Sequence, residues 1–354
     1  APSNIKSDEE IVFYPTYGRQ NRDDQAWSIS VHGKVFEPEE DSKMRAIFIR
    51  ALNATNGAFA DVDESELRED RVRPFLVDNE RSKKITVDVE GSRYRVGESG
   101  PNGHFEGEIM LREAKPRGQS TGERQVDVVA ILPERDQRRF AGRVHLIPPD
   151  GVSVISDIDD TIKDSQVTDK TELMRNTFIR DFRHVDGMPE LYRELAQSDV
   201  AFHYVSGSPW QLFIPVEEWM GVAGFPLGTM HMKHFRLKDE SVLQLLASQQ
   251  ETKFAAIRPI LEAFPDRRFL LFGDSGEQDP EIYGTLARDL PNQIVGVFIR
   301  NVTNENASDP RFQEAFKDVP SNRWFLFDDV VRIHESALAL SQPQSEPDSE
   351  SMER

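Results

Sequence analysis

The chain contains 354 residues and carries a formal net charge of −19 at pH 7, from 62 acidic and 43 basic side chains. A length of this order suggests two domains or three. The negative charge argues against a general nucleic-acid binder, which needs a basic surface to neutralise phosphates, so any anionic substrate must be attracted by local cations. Because there is no cysteine, disulfides and thiolate metal sites are excluded.

The sequence predicts no membrane-spanning segment, since no stretch approaches the roughly 18 apolar residues that a transmembrane helix requires. It begins Ala-Pro-Ser without an initiator methionine, which a cleaved signal peptide and a trimmed sequence would both explain. The alanine start and the lack of cysteine favour an exported or periplasmic location over the cytoplasm.

Residues 1–148 are predicted to form an all-β, sandwich-like domain. Apolar and polar residues alternate with a period of two over most of 27–147, and glycine-rich turns separate several of the runs. Residues 44–52 form a denser apolar run that we interpret as a strand, whereas the highly charged residues 60–84 indicate a long loop or a short helix. The Pro-Pro-Asp-Gly sequence at 148–151 is a natural domain boundary.

From residue 152 onwards, short apolar runs alternate with helical stretches, which predicts a doubly wound parallel α/β domain over 149–340. The predicted strands are 152–155, 200–205, 269–272 and 294–299. The predicted helices are 171–183, 188–197, 210–220, 251–264 and 280–290. The polar, acidic residues 341–354 are predicted to be a disordered tail.

A cluster of acidic residues follows the first predicted strand of this domain. Asp157, Asp159 and Asp160 come within four positions, and Thr161 is next. Buried charges are costly unless they are paired or bind a metal, and open α/β sheets bind ligands at the carboxyl ends of their strands. The stretch therefore indicates a metal-dependent site, the alternative being a charged loop or a helix N-terminus capped by Asp160 or Thr161.

Two further predicted strands end in small or acidic residues. The second ends at Ser206 and Gly207, and the third ends at Asp274, with Asp279 five residues later. Lys253 lies between them, near the start of a predicted helix. Each feature alone is typical of a turn or a solvated lysine, but their order around one parallel sheet favours a single site.

These four motifs, in this order, resemble those of the haloacid dehalogenase superfamily of phosphatases. The sequences DIDDTIKDS, HYVSGSPWQL, GFPLG and FGDSGEQDPEIY are similar to the catalytic domain of the actin-patch-associated phosphatidate phosphatase family. The resemblance covers about residues 152–301, and the β-rich region before it is also similar in position and kind to that family's N-terminal part. Because the stretch between Thr161 and Ser206 is short, it leaves room for only a minimal cap.

The resemblance implies a Mg²⁺-dependent phosphatidate phosphatase that gives diacylglycerol and phosphate through an aspartyl-phosphate. Asp157 would be the nucleophile, and Asp159 would protonate the leaving alkoxide and later deprotonate water. Asp157, Asp274 and the Asp159 backbone carbonyl would hold Mg²⁺, with Asp279 either a further metal-shell carboxylate or an orienter of Lys253.

The remaining site residues implied by the resemblance would bind the phosphoryl group. Lys253 would supply a fixed cation, and Ser206 and the Gly207 amide would hold phosphoryl oxygens, next to Thr161. Lys163 would either hold the phosphate or be exposed. Four histidines have no metal-ligand spacing and are predicted to be structural: His184, His203, His231 and His234.

An open site suits a bulky or membrane-resident substrate, so peripheral membrane contact is expected. Trp210 and residues 212–214 would meet acyl chains at the interface, or would equally form the core face of a helix. The basic residues Arg71, Arg73, Lys83 and Lys84 are candidates for binding an anionic membrane. The alternatives are a phosphomonoesterase for another soluble or protein-bound phosphate, and a non-catalytic lipid- or protein-binding module.

Overall fold

The N-terminal part of the molecule is built on a mixed, nine-stranded sheet. The structure is a computed structural model that describes residues 1–23, 25–40, 42–53, 63–235 and 250–342. The strands of this sheet are β1 (Glu10–Tyr14), β2 (Thr16–Gln20), β3 (Trp27–Glu40), β4 (Val77–Asn79), β5 (Lys84–Val89), β6 (Ser92–Glu98), β7 (His104–Leu111), β8 (Gln125–Ala130) and β9 (Ala141–Ile147). They are connected in the order β1-β3-β2-β9-β8-β5-β6, and β4 and β7 also pair with β3.

The period-two alternation of the sequence explains this sheet. In β5, Ile85, Val87 and Val89 are buried, whereas Thr86 and Asp88 between them are partly exposed. The long strand β3 pairs with four other strands, and its apolar residues share one core with those of β5, β7, β8 and β9. The predicted β domain before the α/β domain is therefore confirmed.

The prediction of a strand over residues 44–52 is wrong, because this segment is helix α1 (Ser42–Asn53). Phe48 and Leu52 are four residues apart, lie on one face of the helix and are both buried. A short dense apolar run does not by itself distinguish a buried helix from a strand. The charged segment that follows contains, in its described part, a 3₁₀ turn and the short helix α2 (Glu69–Val72), as the short-helix alternative predicted.

The second sheet has six parallel strands flanked by helices, which confirms the doubly wound prediction. Its order is β12-β11-β10-β13-β14-β15. In chain order the elements are β10 (Val152–Asp157), α3 (Lys170–Phe178), α4 (Met188–Gln197), β11 (Ala201–Pro209), α5 (Phe213–Ala223), β12 (Thr229–Lys233), α6 (Gln250–Ala263), β13 (Arg268–Asp274), α7 (Asp279–Asp289), β14 (Ile294–Arg300), α8 (Pro310–Ala315), β15 (Trp324–Phe327) and α9 (His334–Ser341).

The predicted strands and helices of this domain are present, with shifted ends. The predicted helix 171–183 ends at Phe178, and the stretch from Trp210 opens with a 3₁₀ turn before α5. Pro215 lies in the first turn of α5, where its missing N–H is not needed. Strands β12 and β15 and helices α8 and α9 were not predicted.

The strands at the centre of this sheet are buried on both faces. In β10, Val154 belongs to the apolar cluster covered by α4 and α5, and the adjacent Ile155 belongs to the cluster covered by α6 and α7. Successive side chains of a strand point to opposite faces, so a continuous apolar run is required here. Among the described residues, no helix is long and apolar enough to cross a membrane.

The two regions share part of their hydrophobic core. Phe48 of α1 stacks on Phe75 at 5.2 Å between ring centroids and meets Phe178 of α3 edge-on at 5.7 Å. Arg71 reaches the same place, where its guanidinium donates to the carbonyls of Thr177 and Arg180. The segment between β3 and β4 thus completes the core of the α/β region. Residues 343–354 of the predicted tail lie outside the described residues.

Candidate active site

The site lies where three neighbouring parallel strands end. Asp157 ends β10, Asp274 ends β13, and Ser206 lies near the end of β11. The register places Asp157 opposite Val205 and Ser156 opposite Phe272, so these ends are level with one another. The strand order changes direction at β10, which is where ligands of doubly wound sheets bind.

A first cluster, the acidic cluster, contains Asp157, Asp274 and Asp279, each at most 1% exposed. One carboxylate oxygen of each lies within 4.8 Å of the others. Lys253 Nζ lies 2.8 Å from Asp157 Oδ1 and 2.5 Å from Asp279 Oδ1, and its third contact is Glu277 Oε2 at 3.1 Å. Lys253 therefore contacts two of the three carboxylates of the acidic cluster, and the negative charge of these three exceeds its single positive charge.

The excess charge is reflected in the proton affinities. Burial raises the pKa of Asp157 well above its usual value; the charge of Lys253 opposes this rise, and the charges of Asp279, Glu277 and Asp159 add to it. Burial and the charges of Asp279 and Asp157 raise the pKa of Asp274 in the same way. Burial alone would lower the pKa of Lys253, but the surrounding carboxylates raise it well above its usual value.

Two oxygens of the acidic cluster are suited to a cation. Asp157 Oδ1 and Asp274 Oδ2 are both buried; Asp157 Oδ1 is paired with Lys253 Nζ, whereas no residue that the structure describes donates a hydrogen bond to Asp274 Oδ2. Buried polar atoms without a partner are rare in proteins. Carboxylate oxygens in a cluster with excess negative charge are the donor set that hard divalent cations prefer, so the residues fit a metal such as Mg²⁺.

The backbone of the loop after β13 holds two of these carboxylates. Asp274 Oδ1 accepts from the amides of Gly276 at 2.7 Å and Glu277 at 3.1 Å. Asp279 Oδ2 accepts from the Asp274 amide at 3.1 Å. A Cβ at Gly273 would lie 2.3 Å from Asp279 Oδ2, so only glycine fits beneath this carboxylate.

The second cluster surrounds Asp159. Its Oδ1 accepts from Lys163 Nζ at 2.5 Å and from Ser165 Oγ at 2.7 Å. Its Oδ2 accepts from Ser208 Oγ at 2.9 Å and Ser206 Oγ at 3.2 Å. Burial raises the pKa of Asp159, but Lys163 and the hydroxyl donors outweigh burial and lower it to about 2. Asp159 is therefore ionised at neutral pH.

The loop after β10 is shaped by Asp160, which has a positive φ of 57°. Its carboxylate accepts from the amides of Ser165, Gln166 and Val167 at 2.7 to 2.8 Å. The loop thereby turns back and brings Lys163 to Asp159. Asp160 consequently closes a loop and does not cap a helix. Thr161 Oγ1 donates to Asp157 Oδ2 at 3.1 Å, which fixes the orientation of that carboxylate.

Sequence reasoning did not identify Ser165, Ser208 and Glu277 as site residues. Ser208 is two residues from Ser206 on the same strand, so the two hydroxyls point to one side. Glu277 lies in the same loop as Asp274 and Asp279. Ser208 and Glu277 could have been predicted from their closeness in sequence to predicted site residues, whereas the contact of Ser165 with Asp159 depends on the turn of the loop.

The remaining predicted residues lie around these clusters. Lys163 is buried, so the exposed alternative is excluded. Gly207 lines a small cavity of about 20 Å³ that Lys253 also lines. His203 and His231 both contact the Thr229 hydroxyl, at 2.8 and 2.9 Å, in keeping with a structural role.

Trp210 is buried between the two regions. Its ring packs against Tyr14, with 4.1 Å between centroids, and meets His32 edge-on at 4.8 Å. It also lines a groove of about 250 Å³, together with Phe213 and with Ile214, which is 46% exposed. Trp210 therefore contacts the core and the groove at once, and Ile214 is the exposed member of the stretch.

The fold and these clusters define a class: a doubly wound α/β domain whose buried carboxylates and lysine meet at the strand ends. Residues 152–301 match the family model described as phosphatidate phosphatase APP1, catalytic domain. Over this segment the chain is therefore similar to that catalytic domain.

Two curated relatives are similar over this part. Phosphatidate phosphatase APP1 of Saccharomyces cerevisiae is 38% identical over 180 residues, which is 50% of this chain and 30% of that protein. An uncharacterized protein of Schizosaccharomyces pombe is 27% identical over 172 residues, which is 48% of this chain and 28% of that protein. The matches thus span less than a third of the length of either relative.

Among solved structures, phosphoserine phosphatase in its apo form is similar to 52% of this chain and 98% of its own. The sequence identity is 11% and the TM-score is 0.32. A TM-score this low does not establish a shared fold.

Proposed function

We propose that the protein is a Mg²⁺-dependent phosphatidate phosphatase that hydrolyses phosphatidate to diacylglycerol and phosphate. The observation that carries this proposal is the acidic cluster at the strand ends, where three buried carboxylates meet and Asp274 Oδ2 receives no hydrogen bond from the described residues. The name of the yeast relative, phosphatidate phosphatase APP1, supports the substrate.

Asp157 is the proposed nucleophile. Its carboxylate forms a bond to phosphorus while the bond from phosphorus to the glycerol oxygen breaks, which gives an aspartyl-phosphate and an alkoxide. Water then attacks this intermediate and restores the carboxylate. Thr161 holds one oxygen of Asp157, so the carboxylate is already oriented before the substrate arrives.

Asp159 is the proposed acid and base. It is ionised in the free protein and must gain a proton before it can protonate the alkoxide. A phosphate dianion bound beside it adds a like charge and competes for the Ser206 hydroxyl, and both effects raise the pKa of Asp159. Substrate binding thus prepares Asp159 to give a proton to the alkoxide; the resulting carboxylate then takes a proton from the water that attacks the aspartyl-phosphate and releases phosphate.

Mg²⁺ would be held by the carboxylates of Asp157 and Asp274 and by the Asp159 carbonyl. When bound, the ion would neutralise charge on the phosphoryl group and on the acidic cluster. The contacts of Asp279 with Lys253 and the Asp274 amide support its role as the residue that orients Lys253. Lys253, Ser206 and the Gly207 amide would bind phosphoryl oxygens.

The groove beside Trp210 supports a lipid substrate. It is lined by apolar side chains that include Phe213 and Ile214, while the basic residues Lys34 and Arg73 are balanced by Glu10 and Asp70. The apolar lining suits an acyl chain. Of the basic residues proposed for membrane contact, Arg71 and Lys83 are buried and are withdrawn, whereas Arg73 and Lys84 are exposed.

The test measures phosphate release from phosphatidate vesicles, from a soluble short-chain phosphatidate and from p-nitrophenyl phosphate. We expect both phosphatidates to be preferred, with activity lost in EDTA and restored by Mg²⁺. Equal turnover of p-nitrophenyl phosphate would favour a general phosphomonoesterase. Lack of turnover on all three, with Mg²⁺ present, would favour a binding module.

A pair of exposed apolar residues tests the groove. Ile214→Ser should lower activity on vesicles and leave activity on the soluble phosphatidate unchanged, since only vesicles require interfacial contact. Val331→Ser is the matched control, because Val331 is 79% exposed and does not line the groove. Equal losses with both Ser variants, or no loss with either, would contradict lipid contact by the groove.

A further inference from the structure

A second cluster of ligand-type side chains lies away from the acidic cluster, on the β domain. In the antiparallel pair of β3 and β7, His32 is directly opposite Glu106, and His104 precedes Glu106 by two residues. Directly opposed residues of a pair share a face, and so do residues two apart on one strand. The three side chains therefore project from one face of the sheet.

The α/β region supplies the fourth side chain. His234 follows β12 directly, and its ring lies 4.4 Å from that of His104, measured between centroids. One ring nitrogen from each of His32, His104 and His234 lies within 4.8 Å of the others. His32 Nε2 is 3.0 Å from His104 Nδ1 and 3.6 Å from Glu106 Oε1.

The protonation state suits ligation. Burial lowers the pKa of His32 to about 3, and burial likewise lowers the pKa of His104 and of His234. The three imidazoles are therefore neutral at pH 7, which is the form that binds metals. His32 Nε2 and His104 Nδ1 lie 3.0 Å apart, so one ring donates to the other, and binding of a cation by both nitrogens would move that proton to the other nitrogen of its ring.

We propose that His32, His104, His234 and Glu106 form a binding site for a transition-metal ion of the Zn²⁺ class that links the two regions. Tetrahedral zinc with bonds of roughly 2.0 to 2.1 Å places its ligand nitrogens about 3.3 Å apart. The observed 3.0 Å between His32 and His104 needs only a small adjustment.

The donor set separates this ion from Mg²⁺. Imidazole nitrogens suit zinc and its neighbours, whereas Mg²⁺ prefers oxygen ligands and would bind the acidic cluster instead. The two clusters have no residue in common. A bound ion would fix β3 and β7 against the end of β12, next to the contact between His32 and Trp210.

The test titrates metal-free full-length protein with Zn²⁺ in a calorimeter, with Mg²⁺ in excess to occupy the acidic cluster. We expect one Zn²⁺ per chain and, with Co²⁺ as the probe, the intense visible absorption of a tetrahedral site. His104→Gln and His234→Gln should each weaken Zn²⁺ binding by more than about tenfold, the scale at which even outer-shell changes act. His334→Gln, which removes a histidine outside the cluster, is the control.

His234 is exposed, so its variant tests the site even if a change at His104 impairs folding. Zn²⁺ binding that persists unchanged in His234→Gln would overturn the proposal. So would the lack of Zn²⁺ binding to the wild type in excess Mg²⁺, or Zn²⁺ binding that is lost in Asp274→Asn but kept in both histidine variants.

Discussion

Asp157 and Asp159 are two residues apart at one strand end and both are buried, yet their pKa values are shifted in opposite directions. The pKa of Asp157 is raised well above its usual value, and that of Asp159 is lowered to about 2. Burial acts on both in the same sense, so burial cannot explain the difference.

The number of donors for each carboxylate explains it. Asp159 has Lys163 and three serine hydroxyls, so its charge is balanced within the protein. Asp157 shares the ammonium of Lys253 with Asp279 and Glu277. One half of the site is electrostatically complete and the other lacks positive charge, which is where a cation would bind.

The largest expected effect comes from Asp157→Asn. The change keeps the shape and removes the attacking charge, so activity should fall below about a hundredth of the wild type, since loss of a nucleophile costs several orders of magnitude. The free energy of unfolding should not fall, because a buried like charge is removed. Phosphate release and chemical unfolding measure the two effects. Residual activity above that level, with contaminating phosphatases excluded, would contradict the assignment of Asp157 as the nucleophile.

An intermediate effect is expected from Lys163→Met, which removes the ammonium that pairs with Asp159. Breaking one partner of a buried pair should destabilise the fold by about 3–5 kcal/mol. The pKa of Asp159 is lower in the folded protein than in the unfolded chain. Its ionised form therefore stabilises the fold at any pH above the pKa of the unfolded chain, and this stabilisation is lost as the pH falls towards about 2. Without Lys163 that contribution shrinks, so acid unfolding should begin at higher pH.

Circular dichroism between pH 7 and pH 2 measures this shift. The control is Lys170→Met, since Lys170 is exposed on α3. Identical acid-unfolding midpoints in the two variants would show that Lys163 does not balance Asp159.

The smallest effect is expected from Asp274→Asn in metal-free protein. The amide retains an oxygen for the Gly276 and Glu277 amides but carries no charge. Because the raised pKa of Asp274 means that ionisation is costly in the fold, the variant should be more stable at neutral pH, by less than the amount by which Lys163→Met destabilises the fold.

Added Mg²⁺ should make the wild type more stable than the variant, because the ion stabilises the wild type and not the variant. Thermal unfolding with and without Mg²⁺ measures both effects, and Asp186→Asn at an exposed position serves as the control. A metal-free variant that is less stable than the wild type would contradict the view that the acidic cluster carries excess charge.

Much of the fold was determined by local sequence patterns. The period-two alternation of residues such as Ile85, Val87 and Val89 specified a half-buried strand, and the apolar runs of β10 and β13 specified strands buried on both faces. The exception is α1, where Phe48 and Leu52 belong to the same buried core as Phe75 and Phe178, and this packing favours a helix. A dense apolar run is compatible with both states, and tertiary contacts decide between them.

The sequence by itself also determined which strand ends carry the reactive groups, because motifs such as Asp157-x-Asp159 lie within a few residues of a strand end. Only the tertiary structure decided that Asp159 is balanced and Asp157 is not, and that His32, His104 and His234 meet. Charge balance depends on how many donors converge from separate loops, and a histidine site between two regions depends on how those regions pack. Both depend on contacts between residues that are far apart in the chain, and the spacing of residues along the sequence does not predict such contacts.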